Sequence, residues 1–400
     1  MIFMAVEVKG AQTLKTFEKA LKENYLPVWK NQLGIEPTAL LAKIKKVPLK
    51  SDKIVATAPI GLSGGFGFGA EGAETPEAGN VKFNRFETNA KDMYVNLCIS
   101  AKAVRLTGSG GAMANALDTE VKAAYETAKW NVGRALFGDG TGKLTATIDA
   151  ETDRHKISVA TVAYLKEGLI VDIYTGSQEV ALKGARIASI DRANKIVTLD
   201  QEVPSGKSVV DGFITVQKSL NREITGLRAI FNDDVTTLYG VEKASNPYLY
   251  PTVFNANKDL TDGLITKALR AAKNEKNSNI DMILAGDDAF DTYVNYLREN
   301  NYRVEDMSHT LKGGFKAIKF VFGNTEVDIV NDSFVPADEM WGVDTSALEL
   351  HTQEWNFADL QGGGIFNLME GQSIYRALLA NYGDLICTNP GGCIRIYGCA

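Results

Sequence analysis

The stretch Asn115 to Gly142, NALDTEVKAAYETAKWNVGRALFGDGTG, decides how the rest of the chain reads. Leu117, Val121, Ala124, Ala128, Val132 and Ala135 recur at the spacing of one helix face, which predicts a helix from Asn115 to Phe137. That face is narrow, with Lys122, Glu126, Lys129 and Arg134 on the other sides. The helix therefore reads as a spine lying on a sheet, roughly 35 Å long at about 1.5 Å per residue, rather than one enclosed by a core. The loop Gly138-Asp139-Gly140-Thr141-Gly142 ends it.

Length and composition set the frame around this spine. A chain of 400 residues exceeds one ordinary core, so two or three domains are expected, and 45% hydrophobic with 23% charged residues is an ordinary globular balance. The start, Met1 to Glu7, has no basic segment leading into an apolar run, and no run of about 18 apolar residues occurs, so neither a signal peptide nor a membrane span is expected. Residues 1–53 carry ten Lys against five acidic side chains, so a basic head of net +5 precedes a body of net −11. No Lys/Arg stripe with interleaved aromatics appears, which argues against a dedicated nucleic-acid reader; the head suits a solvated face or an arm reaching an acidic neighbour or a phosphate. Cys98 stands alone, and Cys387, Cys393 and Cys399 have no clustered His, so reduced structural thiols are expected in place of a zinc site.

Outward from the spine, the chain divides. Leu14, Phe17, Leu21 and Tyr25 make a helical face that Pro27 ends, an arm rather than a domain. Lys53 to Ile60 and Val81 to Ile99 read as two extended runs joined by a Gly-rich tip, a long hairpin for which no other part of the chain is an obvious platform. Residues 153–222 hold short apolar runs (Leu169 to Tyr174, Ala185 to Ile190, Lys195 to Leu199) separated by turn signals, as a small inserted β-barrel would. Its flanks, Thr147 to Arg154 and Ser219 to Glu223, are polar. From Gly226 helices and strands alternate: Thr261 caps a helix, Ile280 to Ala285 is a buried strand, and Gly323-Asn324 turns a hairpin. Strands return at Ala347 to His351, Ile374 to Asn381 and Ile394 to Tyr397.

Catalytic patterns fail one by one. Gly67 to Gly72 matches G-x-G-x-x-G, but Thr75-Pro76-Glu77-Ala78-Gly79 cannot start the helix that a pyrophosphate needs. Gly142-Lys143 resembles a phosphate loop, yet Phe137 stands where its first glycine belongs and Leu144 where its hydroxyl belongs. His155, His309 and His351 lie in unrelated contexts, and Asp233-Asp234 and Asp287-Asp288 border helices or turns, where acids cap. No catalytic residue, cofactor site or metal site is assigned. A hydrolase using the acidic pairs would need convergent carboxylates in a pocket.

Asp118 to Leu144, Gly226 to Phe231, Lys312-Gly313-Gly314-Phe315 and Tyr375 to Tyr397, in this order and spacing, resemble the major capsid proteins of tailed bacteriophages, the Hong Kong 97-type fold. The resemblance implies an α+β chain: N-terminal arm (1–50), E-loop hairpin (51–98), peripheral-domain strand and spine helix (99–152), axial domain (223–335), peripheral strands (336–381) and C-terminal axial strands (382–400); the β-barrel read at 153–222 is not part of the minimal fold and is expected to be an insertion. It also implies self-assembly as pentamers and hexamers into an icosahedral virion shell around double-stranded DNA, built in the host bacterial cytoplasm. Partners would be a separate scaffolding protein, a portal, a decoration protein and non-specifically packaged DNA, with no membrane. The arm begins near Met1, so either the chain is already processed or scaffolding is separate. Some relatives join a Lys to an Asn covalently; Lys82 and Lys91 lie on the hairpin, but nothing local marks an acceptor. An encapsulin-like compartment enclosing a cargo enzyme is the rival on the same fold.

Overall fold

The computed structural model describes residues 38–60, 64–69, 74, 77, 79–100, 111–150, 153–300, 308–311, 314–358 and 365–400. The helical face expected from Leu14 to Tyr25 lies outside the described residues.

The spine helix runs Gly111–Leu136, starting ahead of the expected Asn115 and stopping one residue before Phe137. Its last turn tightens, with the N–H groups of Phe137 and Gly138 donating to the carbonyls of Arg134 and Ala135 at 3.1 and 3.0 Å. Val121, Tyr125 and Ala128 are buried against Leu97, Trp355, Phe357, Ala377 and Leu379, while Ala124 and Val132 are only partly covered. The helix thus lies on a sheet, as its narrow apolar stripe requires.

That sheet has six strands. Lys45–Pro48 runs parallel to Leu348–Thr352, which is antiparallel to the long strand Ile374–Cys387. The long strand also pairs with Asn356–Phe357, Asn367–Leu368 and Lys91–Ser100. The expected extended run from Val81 to Ile99 is therefore two strands. Lys82–Asn89 pairs with Lys53–Ile60, and Ala90 closes this hairpin by donating its N–H to the Asp52 carbonyl at 2.8 Å. Lys91–Ser100 departs to the six-stranded sheet. The expectation that no other part of the chain is an obvious platform for the hairpin is corrected: half of the run is a sheet strand, and the hairpin's inward face buries Ile54, Ala56, Ala58 and Phe86.

A seven-stranded sheet follows, in the order Thr252–Asn255, Ile394–Tyr397, Met340–Val343, Met282–Ala285, Thr325–Asn331, Lys316–Phe322 and Ser308–Thr310. Met282–Ala285 is buried on both faces, and its period-two alternation divides two cores. Ile283 and Ala285 face helices Asp262–Lys276 and Asp287–Glu299 through Ile265, Leu269, Tyr293 and Leu297. Met282 and Leu284 share the other core with Trp341, Leu348, Leu385 and hairpin residue Phe86. Met340–Val343 sits mid-way in this sheet, whereas residues 336–381 are expected in the first one, and Ile374–Cys387 runs through the expected boundary at 381.

The barrel is closed, in the order Phe213–Val216, Lys143–Ala150, Lys156–Val159, Ile196–Leu199, Val180–Asp191, Ile170–Tyr174 and back to Phe213–Val216. It starts earlier than expected. Lys143–Ala150 is a stave, with Leu144 in the barrel core and Thr147 buried, its hydroxyl donating to the Val209 carbonyl. Entry and exit meet at a neck where Asn221 N–H donates to the Thr141 carbonyl at 2.8 Å.

Two outcomes follow. A Cβ at Gly226 would lie 2.4 Å from the Leu136 carbonyl oxygen at the end of the spine. Gly226→Ala should therefore destabilise the subunit by roughly 2–3 kcal/mol in urea unfolding. Replacing residues 143–218 by a short Gly/Ser linker should leave a cooperative circular-dichroism melt, because both splice points sit at the neck; a lost transition would show that the barrel supports the sheets.

Candidate assembly surface

The hairpin is held at its base and bare along its outer face. At the base, Phe86 is fully buried and meets Tyr239 edge-on at 5.9 Å, and Glu87 N–H donates to the Tyr239 carbonyl at 2.9 Å. Thr88 donates its hydroxyl to Asp384 Oδ2 at 2.5 Å. Asp384 is fully buried in the long strand and also accepts from Thr225 N–H at 2.7 Å, Thr225 Oγ1 at 3.0 Å and its neighbour's N–H, that of Leu385, at 3.0 Å. Burial pushes its carboxyl above the usual range, opposed by the hydrogen bonds from Thr88 and Thr225 and by Lys91. One carboxylate thereby joins the hairpin, the segment leaving the barrel and the six-stranded sheet.

Alternation puts Val55, opposite Glu87, and Phe83, nearer the tip, on the outward face, 42% and 66% exposed. At the tip Phe66 and Phe68 are 81% and 96% exposed, their rings edge-on at 5.2 Å. Apolar side chains clustered on a projecting element mark a contact surface rather than a surface made for water.

Charged joints brace the body that carries this surface. Arg134, buried, and Glu223, partly buried, form a two-pronged pair at 2.9 and 2.7 Å, tying the spine's end to the barrel exit. Lys43 Nζ lies 2.9 Å from Asp281 Oδ2 and 3.0 Å from Asp328 Oδ2, holding the segment before the first strand to the seven-stranded sheet. Glu339 accepts from Trp341 Nε1 at 2.7 Å and pairs with Arg395. The turn after Asp332 presents Phe334 to Trp130 and Phe137 of the spine segment, and Tyr164 of the barrel donates its hydroxyl to the Phe334 carbonyl at 3.0 Å.

The catalytic candidates are scattered. His309 Nε2 is 3.0 Å from Asp328 in an edge strand, His351 Nε2 is 3.3 Å from Glu349 in the other sheet, and His155 Nδ1 is 3.2 Å from the Leu199 carbonyl in the barrel. Asp287 and Asp288 occupy the first turn of a helix, and Asp233 and Asp234 are exposed after a short one. Gly142 adopts φ +75° at the barrel neck, and Lys143 reaches over the Phe213 ring. Gly67 to Gly69 begin no helix, and the rest of that match lies outside the described residues. Lys82 opens a hairpin strand and Lys91 a sheet strand. All four cysteines are free, with Cys387, Cys393 and Cys399 buried and Cys98 exposed. Among the described residues no cluster of His, Cys, Asp or Glu could hold a metal, and no helix is long and apolar enough to cross a membrane.

By sequence, no protein-family model and no curated protein matches the chain. By structure, the capsid asymmetric unit of cyanophage A-1(L) superposes with TM-score 0.51 at 12% identity, covering 91% of this chain and 93% of that one. The holo-SrpI encapsulin complex from Synechococcus elongatus gives TM-score 0.46 at 8% identity over 91% and 88%. Mycobacterium phage Bobi gives 0.43 at 11% over 90% and 89%. The fold is α+β of the Hong Kong 97 capsid type, with a small closed barrel added.

Asp332 provides a test of the Phe334 joint. Burial raises its carboxyl from 3.8 to about 7, with Asp287 adding to the rise and the Phe334 N–H opposing it. The folded state thus favours the protonated form, and its stability falls as pH climbs from about 4 to about 7. Asp332→Asn should add up to about 4 kcal/mol above pH 7 and almost nothing below pH 4, as read by urea unfolding at the two pH values.

Proposed function

We propose that this chain is the major capsid protein of a tailed bacteriophage, closing as pentamers and hexamers into an icosahedral head around double-stranded DNA. The observation that carries this is a hairpin locked at its base with Val55, Phe66, Phe68 and Phe83 facing solvent, on a fold of capsid type. A contact made by a projecting element on a different surface of the next copy is heterologous, and such contacts finish as rings when the rotation closes. Rings of five and six tile a closed shell. The role is structural: the shell holds its genome by enclosure, and packaged DNA touches its inner face without sequence preference. A separate scaffolding protein, a portal and a decoration protein complete the particle, which is assembled in the host cytoplasm and leaves as a virion.

The test is negative-stain microscopy of the protein expressed with its phage partners, with absorbance at 260 against 280 nm. Angular shells rich in 260 nm absorbance are expected. Shells that enclose a cargo enzyme and no nucleic acid would replace the genome container by a compartment. A compact monomer or a two-fold dimer as the sole species at high concentration would overturn shell formation itself.

A further inference from the structure

A cysteine stands at each end of the turn that carries the chain from one sheet to the other. Cys387 closes strand Ile374–Cys387 of the six-stranded sheet, and Cys393 immediately precedes strand Ile394–Tyr397 of the seven-stranded sheet. Between them lies the short helical turn Pro390–Gly392, closed by the Cys393 N–H donating to the Pro390 carbonyl at 3.2 Å. Only glycine fits at two of its positions. A Cβ on Gly391 would lie 2.0 Å from the Tyr248 carbonyl oxygen, and one on Gly392 would lie 2.6 Å from Ser278 Cβ. The tight turn sets Cys393 against Cys387. Both side chains are buried in one core, 2% and 0% exposed, and their thiols are hydrogen-bonding partners. The Tyr239 hydroxyl lies beside both, accepting from the Cys387 N–H at 3.1 Å.

We infer that Cys387 and Cys393 form a site of reversible oxidation, closing to a disulfide that ties the end of one sheet to the last strand of the other. The thiols are free in this structure, which is the reduced form. The oxidant is a small peroxide, and the step balances with hydrogen peroxide. One thiolate attacks a peroxide oxygen, the O–O bond breaks, hydroxide leaves and a sulfenic acid remains. The second thiolate attacks that sulfur, the S–O bond breaks and a second hydroxide leaves as the S–S bond forms. The two thiol protons end on the two waters, each sulfur gives up one electron, and the peroxide takes both. Contact with Cys387, and then burial, hold the Cys393 thiol protonated well beyond the usual range, so it reacts slowly while the core stays shut. The turn is where that core opens most readily. Ser278 Oγ, against which Gly392 packs, is buried with no hydrogen-bond partner, and opening the turn gives this hydroxyl water to bond. The inference concerns the fold of one subunit and does not depend on shell formation.

Trypsin places both cysteines on one peptide, Ala377 to Arg395, and Cys399 on another, Ile396 to Ala400. Full-length protein is treated with hydrogen peroxide, quenched, unfolded in iodoacetamide and digested without reductant. The Ala377 to Arg395 peptide should escape alkylation and weigh two hydrogens less than its reduced form. Cys399, buried with its thiol donating to the Ile396 carbonyl at 3.8 Å, should take the iodoacetamide. Alkylation of both Cys387 and Cys393, or a sulfinic acid in place of the lost hydrogens, would overturn the inference. The oxidised protein should also melt a few degrees higher by circular dichroism and return to the original melt with dithiothreitol; a melt that the bond leaves unmoved or lowers would overturn its role as a tie between the sheets. Cys393→Ala should abolish the peroxide-induced shift, and a shift that persists in the folded variant would count against the pair. The mass readout on the unaltered chain decides the question even where that variant does not fold.

Discussion

The buried carboxylate of Asp384 is the constraint on which the arrangement depends. A charge taken out of water is tolerated only where hydrogen bonds replace its hydration, and here the donors come from three places far apart in sequence. Thr88 ends the hairpin, Thr225 begins the path from the barrel to the seven-stranded sheet, and Leu385 continues the long strand. Each must stand where it does for the carboxylate to be satisfied. The direction in which the hairpin leaves the body is therefore set by the core, not by the hairpin's own turn.

A projecting element with a fixed base has consequences for the rest of its surface. Burying one large apolar side chain contributes about 1.5–3 kcal/mol, and the subunit alone leaves several such side chains on the hairpin unburied. Holding the base still means that less freedom is lost when the outer face meets a partner. The charged joints serve the same end. Arg134 with Glu223, and Phe334 between the spine and Tyr164, make the helix, the barrel and the seven-stranded sheet one body, so that a force on the hairpin is carried across the subunit. The barrel is bound to this body at its neck and at Tyr164.

Local patterns were legible where one element's own residues decide its form. The apolar stripe of the spine, the Lys53–Ile60 strand, the Gly323 turn at φ +60° and the acids in the first turn of Asp287–Glu299 all belong to this class. The break at Ala90 was not, because its cause is a hydrogen bond from its N–H to the Asp52 carbonyl, a contact between two strands. Nor was the first barrel stave: Thr147 read as the start of a polar flank, yet it is buried, its hydroxyl donating to the Val209 carbonyl. Lys243 is hidden in the same way, with its ammonium donating to the carbonyls of Ala229, Ile230 and Asn232. The candidate surface was half legible. The Gly-rich tip announces an element without its own core, whereas the anchor of its base, Asp384, lies 296 residues beyond Thr88 and has no local signature.

Hydrogen exchange on free subunits and on shells measures the central claim directly. A hairpin locked at its base and completed by other copies should show slow exchange at Phe86 to Thr88 in both states, and at Gly64 to Gly69 in the shell alone. Equally slow exchange of the tip in the free subunit, or fast exchange of the base in either state, would contradict the account.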